Sequence, residues 1–183
     1  MKIILTSAAI VAASLFLNLN LKAVPMDMAV VDLPSEMMEK TEALNHKVLL
    51  FKPKELTKNG EKLPLFISLH GGGGGGTGDD IKKFQRNPVV KYVSNMKIAA
   101  MVFVPQATKK AKDGGLGTWR GRDLDMMLDY IVENNHQIDL SRIYLTGASM
   151  GGFGNWVWTY TSPVVLQQWH LFVEASDKEG RRM

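Results

Sequence analysis

The most constraining feature of this 183-residue sequence is a glycine–serine–glycine pattern that directly follows an apolar run. The run from Arg142 to Thr146 ends at Gly147, and Ser149 and Gly151 follow at alternate positions. A serine in a tight turn between a strand and a helix needs small residues two positions before and after it, because the two elements pack closely there. The pattern therefore predicts a strand–turn–helix unit that exposes the Ser149 hydroxyl, with Gly147 and Gly151 as its small residues.

A second glycine-rich pattern ends another apolar run, Leu63–Leu69, where His70 is followed by six glycines. Backbone N–H groups at Gly71 or Gly72 can approach a developing oxyanion, since no side chain blocks the approach. The N–H of Met150, at the start of the predicted helix, is expected to face the same oxyanion. His70 precedes the serine in the chain, so we expect it to hold this loop by hydrogen bonding and not to act as the catalytic base.

Two other interpretations of the glycine run fail on its surroundings. Its spacing satisfies the Gly-x-Gly-x-x-Gly of a dinucleotide-binding turn, but no acidic residue lies between Asp80 and Asp113, where the ribose-binding carboxylate is expected. Gly76 is followed by Thr77 and not by lysine, which excludes a phosphate-binding P-loop. The oxyanion interpretation is the one that remains.

The apolar runs predict the fold class. They are apolar throughout and do not alternate, which is typical of strands covered on both faces of a parallel sheet. Helical spacing of apolar residues recurs in two of the intervening segments. Strands and helices thus alternate, which predicts an α/β fold with a doubly wound, mostly parallel sheet. The predicted strands are Lys47–Lys52, Leu63–Leu69, Ile98–Val104 and Arg142–Thr146, and the predicted helices are Val89–Met96 and a segment that includes Leu124 and Ile131.

The N-terminus reads as a secretory signal peptide over residues 1–23. Lys2 precedes an apolar run, Ile3–Leu17, and small Ala23 offers a cleavage point. The run is shorter than the roughly 20 residues that span a bilayer, so no stable membrane span is expected. The sequence therefore predicts a secreted or periplasmic protein, with an uncleaved N-terminal anchor as the alternative.

Composition excludes several kinds of site and partner. The chain has no cysteine, which excludes disulfides, zinc–thiolate sites and cysteine nucleophiles. Its formal net charge of +4 is too small to indicate a nucleic-acid partner. The interval from Ile81 to Lys112 carries eight basic residues and no acidic residue, which we interpret as a solvated basic face.

Three segments together resemble secreted esterases of the α/β-hydrolase superfamily, in the polyhydroxybutyrate-depolymerase and feruloyl-esterase group and the related predicted peptidases. The resemblance covers about Lys47 to Trp156, and it implies a serine carboxylesterase that acts through an acyl-enzyme on a small-molecule or polymer-derived ester, without metal or cofactor. It also implies that Asp139 and Arg142 are structural residues at the start of a strand. The segments are Leu63–Gly73, Gly121–Asp123 and Ile138–Gly152.

The sequence departs from this group after the serine. An acid and then a histidine should follow Ser149, in that order. The histidine that does follow, His170, precedes Glu174, Asp177 and Glu179. Loss of the base and its acid costs several orders of magnitude in rate, so we expect at most trace hydrolysis. We also expect the fold to be incomplete at its C-terminal end, with the serine strand as an exposed, aggregation-prone edge.

The predicted organisation has four parts: the signal peptide, a lead-in segment over 24–46, the N-terminal part of a hydrolase domain over 47–161, and an aberrant tail over 162–183. The tail lacks the pattern of the expected next strand, and we interpret it as a frameshift product. A shifted frame over residues 162–175 can encode a strand followed by a glycine turn. The rival explanations are a deliberately shortened chain and a decaying gene, and the nucleotide sequence between Trp156 and Pro163 would distinguish them.

Two alternative functions stay open at this point. One is a non-catalytic binding module that recognises a polysaccharide or polymer surface through exposed Trp119, Trp156 and Trp158. Its ordinary rival is that these tryptophans pack the core. The other is a serine peptidase of the same fold.

Overall fold

A computed structural model describes residues 23–55, 60–114 and 118–162, and the main chain of 169–174. The described chain forms one six-stranded sheet with helices on both faces. The strands are β1 (Met26–Asp32), β2 (Lys47–Pro53), β3 (Leu63–Leu69), β4 (Met101–Val104), β5 (Ile138–Ala148) and β6 (Trp169–Glu174). The helices are α1 (Ser35–Lys40), α2 (Pro88–Asn95), α3 (Gly121–Glu133) and α4 (Met150–Thr161), with short 3₁₀ turns at Gly72–Gly74 and Ile81–Phe84.

The sheet is mostly parallel, with the strand order β1-β2-β4-β3-β5-β6. Strands β4, β3, β5 and β6 run parallel, whereas β2 pairs antiparallel with both β1 and β4. This confirms the predicted doubly wound α/β architecture. Because the carboxyl ends of parallel strands share one edge of the sheet, the segments after β3, β4 and β5 meet there.

Each face of the sheet has its own core. On one face Leu65 and Ile67 of β3 pack with α3 and α4, and Trp158 of α4 is fully buried there. On the other face Val102 of β4 packs with Val93 of α2. Alternate residues of one strand therefore enter different cores, which explains why these runs are apolar at every position.

Residues 24–46, predicted to be a lead-in segment, contain β1 and α1. β1 pairs with β2 along its whole length and forms an edge of the sheet. The N–H of Val24 donates to the carbonyl of Ser94 at 3.0 Å, which ties the start of the described chain to α2. The predicted signal peptide lies outside the described residues, apart from Ala23. Within the described residues, no helix is long and apolar enough to cross a membrane.

The expectation that the serine strand would be an exposed edge is wrong. β6 pairs in parallel with β5, from Ile143 beside Trp169 to Ala148 beside Glu174. Strand β5 therefore lies between β3 and β6. The segment that was interpreted as patternless contains Leu171, Phe172 and Val173, an apolar run long enough to serve as a strand.

Candidate active site

Ser149 lies in a sharp turn between β5 and α4. Its φ of 51° and ψ of −115° place it in a region of backbone conformation that residues with a Cβ rarely adopt. Such a conformation costs about 1–3 kcal/mol and persists only where the surrounding structure enforces it. The turn puts the serine at the N-terminus of α4, where helix N–H groups face outward.

The two glycines that flank Ser149 allow this turn. A Cβ on Gly147 would overlap the main chain of Gly151, and a Cβ on Gly151 would overlap the carbonyl oxygen of Leu69. Strand β5, helix α4 and the end of β3 thus approach one another with no room for a side chain. This is the close packing that the sequence pattern predicted for Gly147 and Gly151.

The glycine-rich loop after β3 lies beside the serine. A Cβ built on Gly71 would stand 3.7 Å from the Cβ of Ser149 and 3.2 Å from the carbonyl oxygen of Ala148. The carbonyl of Gly71 accepts a hydrogen bond from the N–H of Gly74 at 2.9 Å. Since C=O and N–H point in opposite directions across a trans peptide, this bond also fixes the direction of the N–H of Gly72.

His70 is held from both sides of its ring. The N–H of Ala107 donates to Nε2 at 3.0 Å, so the proton of the neutral ring lies on Nδ1, which donates to the carbonyl of Gly71 at 2.7 Å. The ring stacks on Phe84 at 5.0 Å and tilts against Trp119 at 4.7 Å. Burial lowers the pKa of His70 below its usual value. Because both ring nitrogens bind main-chain groups, neither is free to accept a proton from Ser149.

Two of the three tryptophans that the binding-module alternative requires on the surface are buried. The indole N–H of Trp119 donates to the carbonyl of His70 at 3.0 Å, and that of Trp158 donates to Asp125 at 2.7 Å. Trp119 and Trp158 thus pack the core, as the ordinary interpretation predicted, and the binding-module alternative is wrong for these two residues. Trp156 is 64 % exposed.

An open cleft of about 800 Å³ lies in front of the serine. Ser149 and Met150 line it at one side, and the side chains of Trp119, Phe153 and Val157 give it largely apolar walls. The start of α3 closes the far side. There, buried Asp123 accepts hydrogen bonds from the N–H groups of Glu42 and Ala43, so this carboxylate fixes the wall and does not point freely into the cleft.

Comparison with known proteins finds a similar fold in solved structures of esterases. No family model matches the chain, and no curated protein sequence does. Among solved structures, an acetyl xylan esterase from Aspergillus awamori aligns over 85 % of this chain and 57 % of its own, with 14 % identity and a TM-score of 0.54. A thermostable esterase aligns over 76 % of this chain and 38 % of its own, with 23 % identity and a TM-score of 0.50.

The chain has the α/β-hydrolase fold. It spans between about two fifths and three fifths of the length of these two esterase structures.

In this α/β-hydrolase fold, the glycine loop is anchored by a residue that sequence reasoning missed. Gln106, just after β4, is fully buried. Its Nε2 donates to the carbonyl of Gly74 at 3.1 Å and to Asp80 at 2.9 Å, and its Oε1 accepts from the N–H of Gly78 at 3.0 Å and from Asn45 at 3.1 Å. These contacts join distant parts of the chain, so local patterns gave no signal for them.

The remaining described histidine side chains lie away from the serine. His46 packs against Gly78, and neither residue lines the cleft. His136 is exposed just before β5, at the end of that strand opposite to the serine. The main chain of His170 pairs with Tyr144 in the middle of β5. Within the described residues, no group of three His, Cys, Asp or Glu side chains is arranged to hold a metal ion.

Asp139 and Arg142 form a tight turn at the start of β5 in the α/β-hydrolase sheet. Asp139 accepts hydrogen bonds from the hydroxyl of Ser141 and from Nε of Arg142, both at 2.6 Å. These bonds, the one from Ser141 foremost, lower the pKa of Asp139 to about 2. Arg142 also donates to the carbonyl of Lys62 at 2.7 Å, which joins this turn to the chain just before β3.

Proposed function

We propose that this chain carries the nucleophile and the oxyanion-binding loop of a serine carboxylesterase, with Ser149 as the nucleophile. The observation that carries the proposal is the strained turn at Ser149, held beside the Gly71 loop and open to the cleft. Strain of this kind at an exposed serine has no evident structural use, since glycine would adopt the same conformation without cost.

The proposed chemistry is acyl transfer. Ser149 Oγ attacks the ester carbonyl, and negative charge develops on the carbonyl oxygen. The N–H of Met150, together with that of Gly71 or Gly72, stabilises this charge, and the alcohol leaves to give an acyl-enzyme that water then hydrolyses. The apolar walls of the cleft suit a hydrophobic acyl or alcohol group.

The proton of Ser149 passes to solvent water in the open cleft, and water returns one to the leaving alcohol, because His46, His70 and His136 are not placed to act as the base. We therefore expect the isolated chain to turn over activated esters at a rate several orders of magnitude below that of a complete triad enzyme. Residual acceleration would come from the oxyanion-binding groups alone.

The test is covalent labelling with a fluorophosphonate, read by mass spectrometry of the peptide that contains Ser149. We expect slow labelling at this serine and none in Ser149→Ala. Ser141→Ala is the matched control, because Ser141 lies at the opposite end of β5, and it should label like the unchanged chain. Equal labelling of Ser149→Ala and the unchanged chain would remove the assignment.

A further inference from the structure

We propose that one face of the molecule binds a bilayer surface that carries anionic headgroups. This face, called here the α2 face, is the outer surface of α2 and of the turns on either side of it. The proposal is independent of the chemistry at Ser149. The residues of the α2 face are Lys82, Arg86, Lys91, Tyr92, Met96 and Lys97.

Charge is strongly segregated along this chain. The interval 81–112 holds eight of the 22 basic residues and none of the 18 acidic ones, so the rest of the chain has 14 basic and 18 acidic residues. The basic character of the protein therefore resides in this interval. Within the described residues, the four basic side chains of the α2 face are exposed and form no ion pair.

Two other basic residues of the interval, Lys83 and Lys112, have partners elsewhere. Lys83 pairs with Asp80 at 2.9 Å, and Lys112 donates to the carbonyl of Met38 at 2.6 Å. They contribute to the glycine loop and to the end of α1 respectively. Of the six basic residues of the interval without such a contact, four therefore lie on α2 and its flanking turns, and Lys109 and Lys110 lie in the loop after β4.

The four basic side chains lie on one side because their neighbours pack inward. Ile81 and Phe84 of the 3₁₀ turn, and Val89 and Val93 of α2, all join the same core under the sheet. Residues between them in the helical repeat, such as Lys91, must point to solvent. The α2 face is therefore a single outward surface of two adjacent segments.

Exposed apolar side chains accompany these charges. Tyr92 is 55 % exposed and Met96 is 58 % exposed. Met28 of β1 is 39 % exposed and lies on the same side of the sheet, because Met26 and Val30, two positions before and after it, pack into the core beneath α2. A tyrosine beside basic residues suits the headgroup region of a bilayer, whereas a phosphate backbone alone would not favour exposed methionines.

The chain also enters the fold at this face. Val24 is tied to Ser94 of α2 by two hydrogen bonds, from its N–H at 3.0 Å and to its carbonyl from the Ser94 hydroxyl at 2.6 Å. Six residues lie between Leu17, the end of the apolar run, and Val24, and the seven steps from one to the other span about 25 Å at most. While that run occupies a membrane, as an export signal does, Val24 is held within this distance of it, and Ser94 of α2 is hydrogen-bonded to Val24.

The experiment measures binding of the full chain to vesicles of phosphatidylcholine alone and of phosphatidylcholine mixed with phosphatidylserine. The apolar N-terminal run can bind both, so the measured quantity is the ratio of the two partition coefficients. One variant, K82Q/R86Q/K91Q/K97Q, neutralises the α2 face. A control variant, K40Q/K62Q/K109Q/K110Q, removes the same charge from exposed positions elsewhere.

We expect the unchanged chain and the control to favour phosphatidylserine vesicles at least about tenfold, and the α2-face variant to lose this preference. Added salt should abolish the preference. Equal losses in the two variants would overturn the proposal, because they would show general charge attraction. A chain that binds both vesicle types equally would overturn it as well.

Two further measurements test the role of Tyr92 and the identity of the partner. Y92S removes the exposed ring while keeping every charge, and we expect it to lower the partition coefficient for phosphatidylserine vesicles by several-fold. An unchanged coefficient would contradict insertion of this face.

Binding of the unchanged chain and its variants to duplex DNA is the alternative outcome. The partner is a nucleic acid, and the proposal is wrong, if the unchanged chain binds DNA more tightly than vesicles and only the α2-face variant loses DNA binding.

Discussion

Gly151 lies where α4 passes closest to β3, and its missing side chain is what allows that contact. The carbonyl oxygen of Leu69 occupies the position that a Cβ would take. Gly73, in the nearby loop, has open space at the same position. Two glycines that look alike in the sequence therefore differ in how strongly the fold depends on them.

We expect Gly151→Ala to lower the free energy of unfolding by about 3 kcal/mol, since the main chain of α4 or β3 must move. Gly73→Ala should change it by about 0.5 kcal/mol or less. Urea unfolding followed by circular dichroism measures both. If the two variants had equal midpoints, the close approach of α4 and β3 would be refuted.

His70 allows a prediction about pH. Burial lowers its pKa, so the unfolded chain binds a proton more readily than the folded one. The stability that neutral His70 contributes is present above the usual imidazole pKa of about 6.5 and is lost as the pH falls from there toward the folded pKa.

Nitrogen NMR of the histidine rings tests this directly. We expect His70 to titrate below its pKa in the urea-unfolded chain, with the proton of its neutral form on Nδ1. Titration at or above the unfolded value, or a proton on Nε2, would contradict the hydrogen bonds to Ala107 and Gly71.

At the scale of elements, the strands that sequence reasoning found are those with continuous apolar runs. β2 and β3 match their predicted ranges closely, and α3 contains the predicted helical residues Leu124 and Ile131. β1 was missed because it is an edge strand, half exposed, with aspartates in its pattern. β6 was missed because its short apolar run lies within a polar segment. A strand that is buried on both faces has a continuous apolar run in the sequence, whereas an edge strand has a weaker apolar pattern.

Some residues of the candidate site could also be predicted from the sequence, and others could not. The motif located Ser149 and its glycines because their spacing reflects contacts within a few residues. Gln106 and Asn45 could not be found this way, since their partners lie 26 to 62 residues away in the chain. The glycine loop thus depends on groups that only the folded sheet brings together.

Gln106→Glu tests this dependence. The substitution keeps the shape but replaces a donor by a carboxylate oxygen that faces two acceptors, the carbonyl of Gly74 and Asp80. We expect it to lower the free energy of unfolding by about 2 kcal/mol and to speed amide exchange in the glycine loop. Gln85→Glu, at an exposed position, is the matched control and should change neither. Equal behaviour of the two variants would show that Gln106 does not anchor the loop.

For the whole molecule, the place of β5 decides how the sheet holds together. In a parallel sheet, successive residues of a strand bond to neighbours on opposite sides. A β5 that lies between β3 and β6 uses every main-chain group from Ile143 to Ala148, whereas an edge strand would use only alternate ones.

Hydrogen exchange can distinguish these arrangements residue by residue. We expect slow exchange at every amide from Ile143 to Gly147, because both neighbours are paired. The amides of β1 provide an internal control, since this strand pairs on one side and should show alternate protection. An alternating pattern in β5 would mean that β6 does not pair with it.

The backbone at Ser149 has a consequence for how a sequence of this kind drifts over generations. Glycine would fit that turn without strain, so selection for stability alone favours losing the serine. A lineage in which the hydroxyl has no use is expected to replace the serine by glycine, since the relief of about 1–3 kcal/mol of strain outweighs the roughly 0.4–1 kcal/mol by which glycine stabilises the unfolded chain. Descendants that keep serine at this position can therefore be sorted from those that do not by their melting temperatures, with the serine forms melting lower.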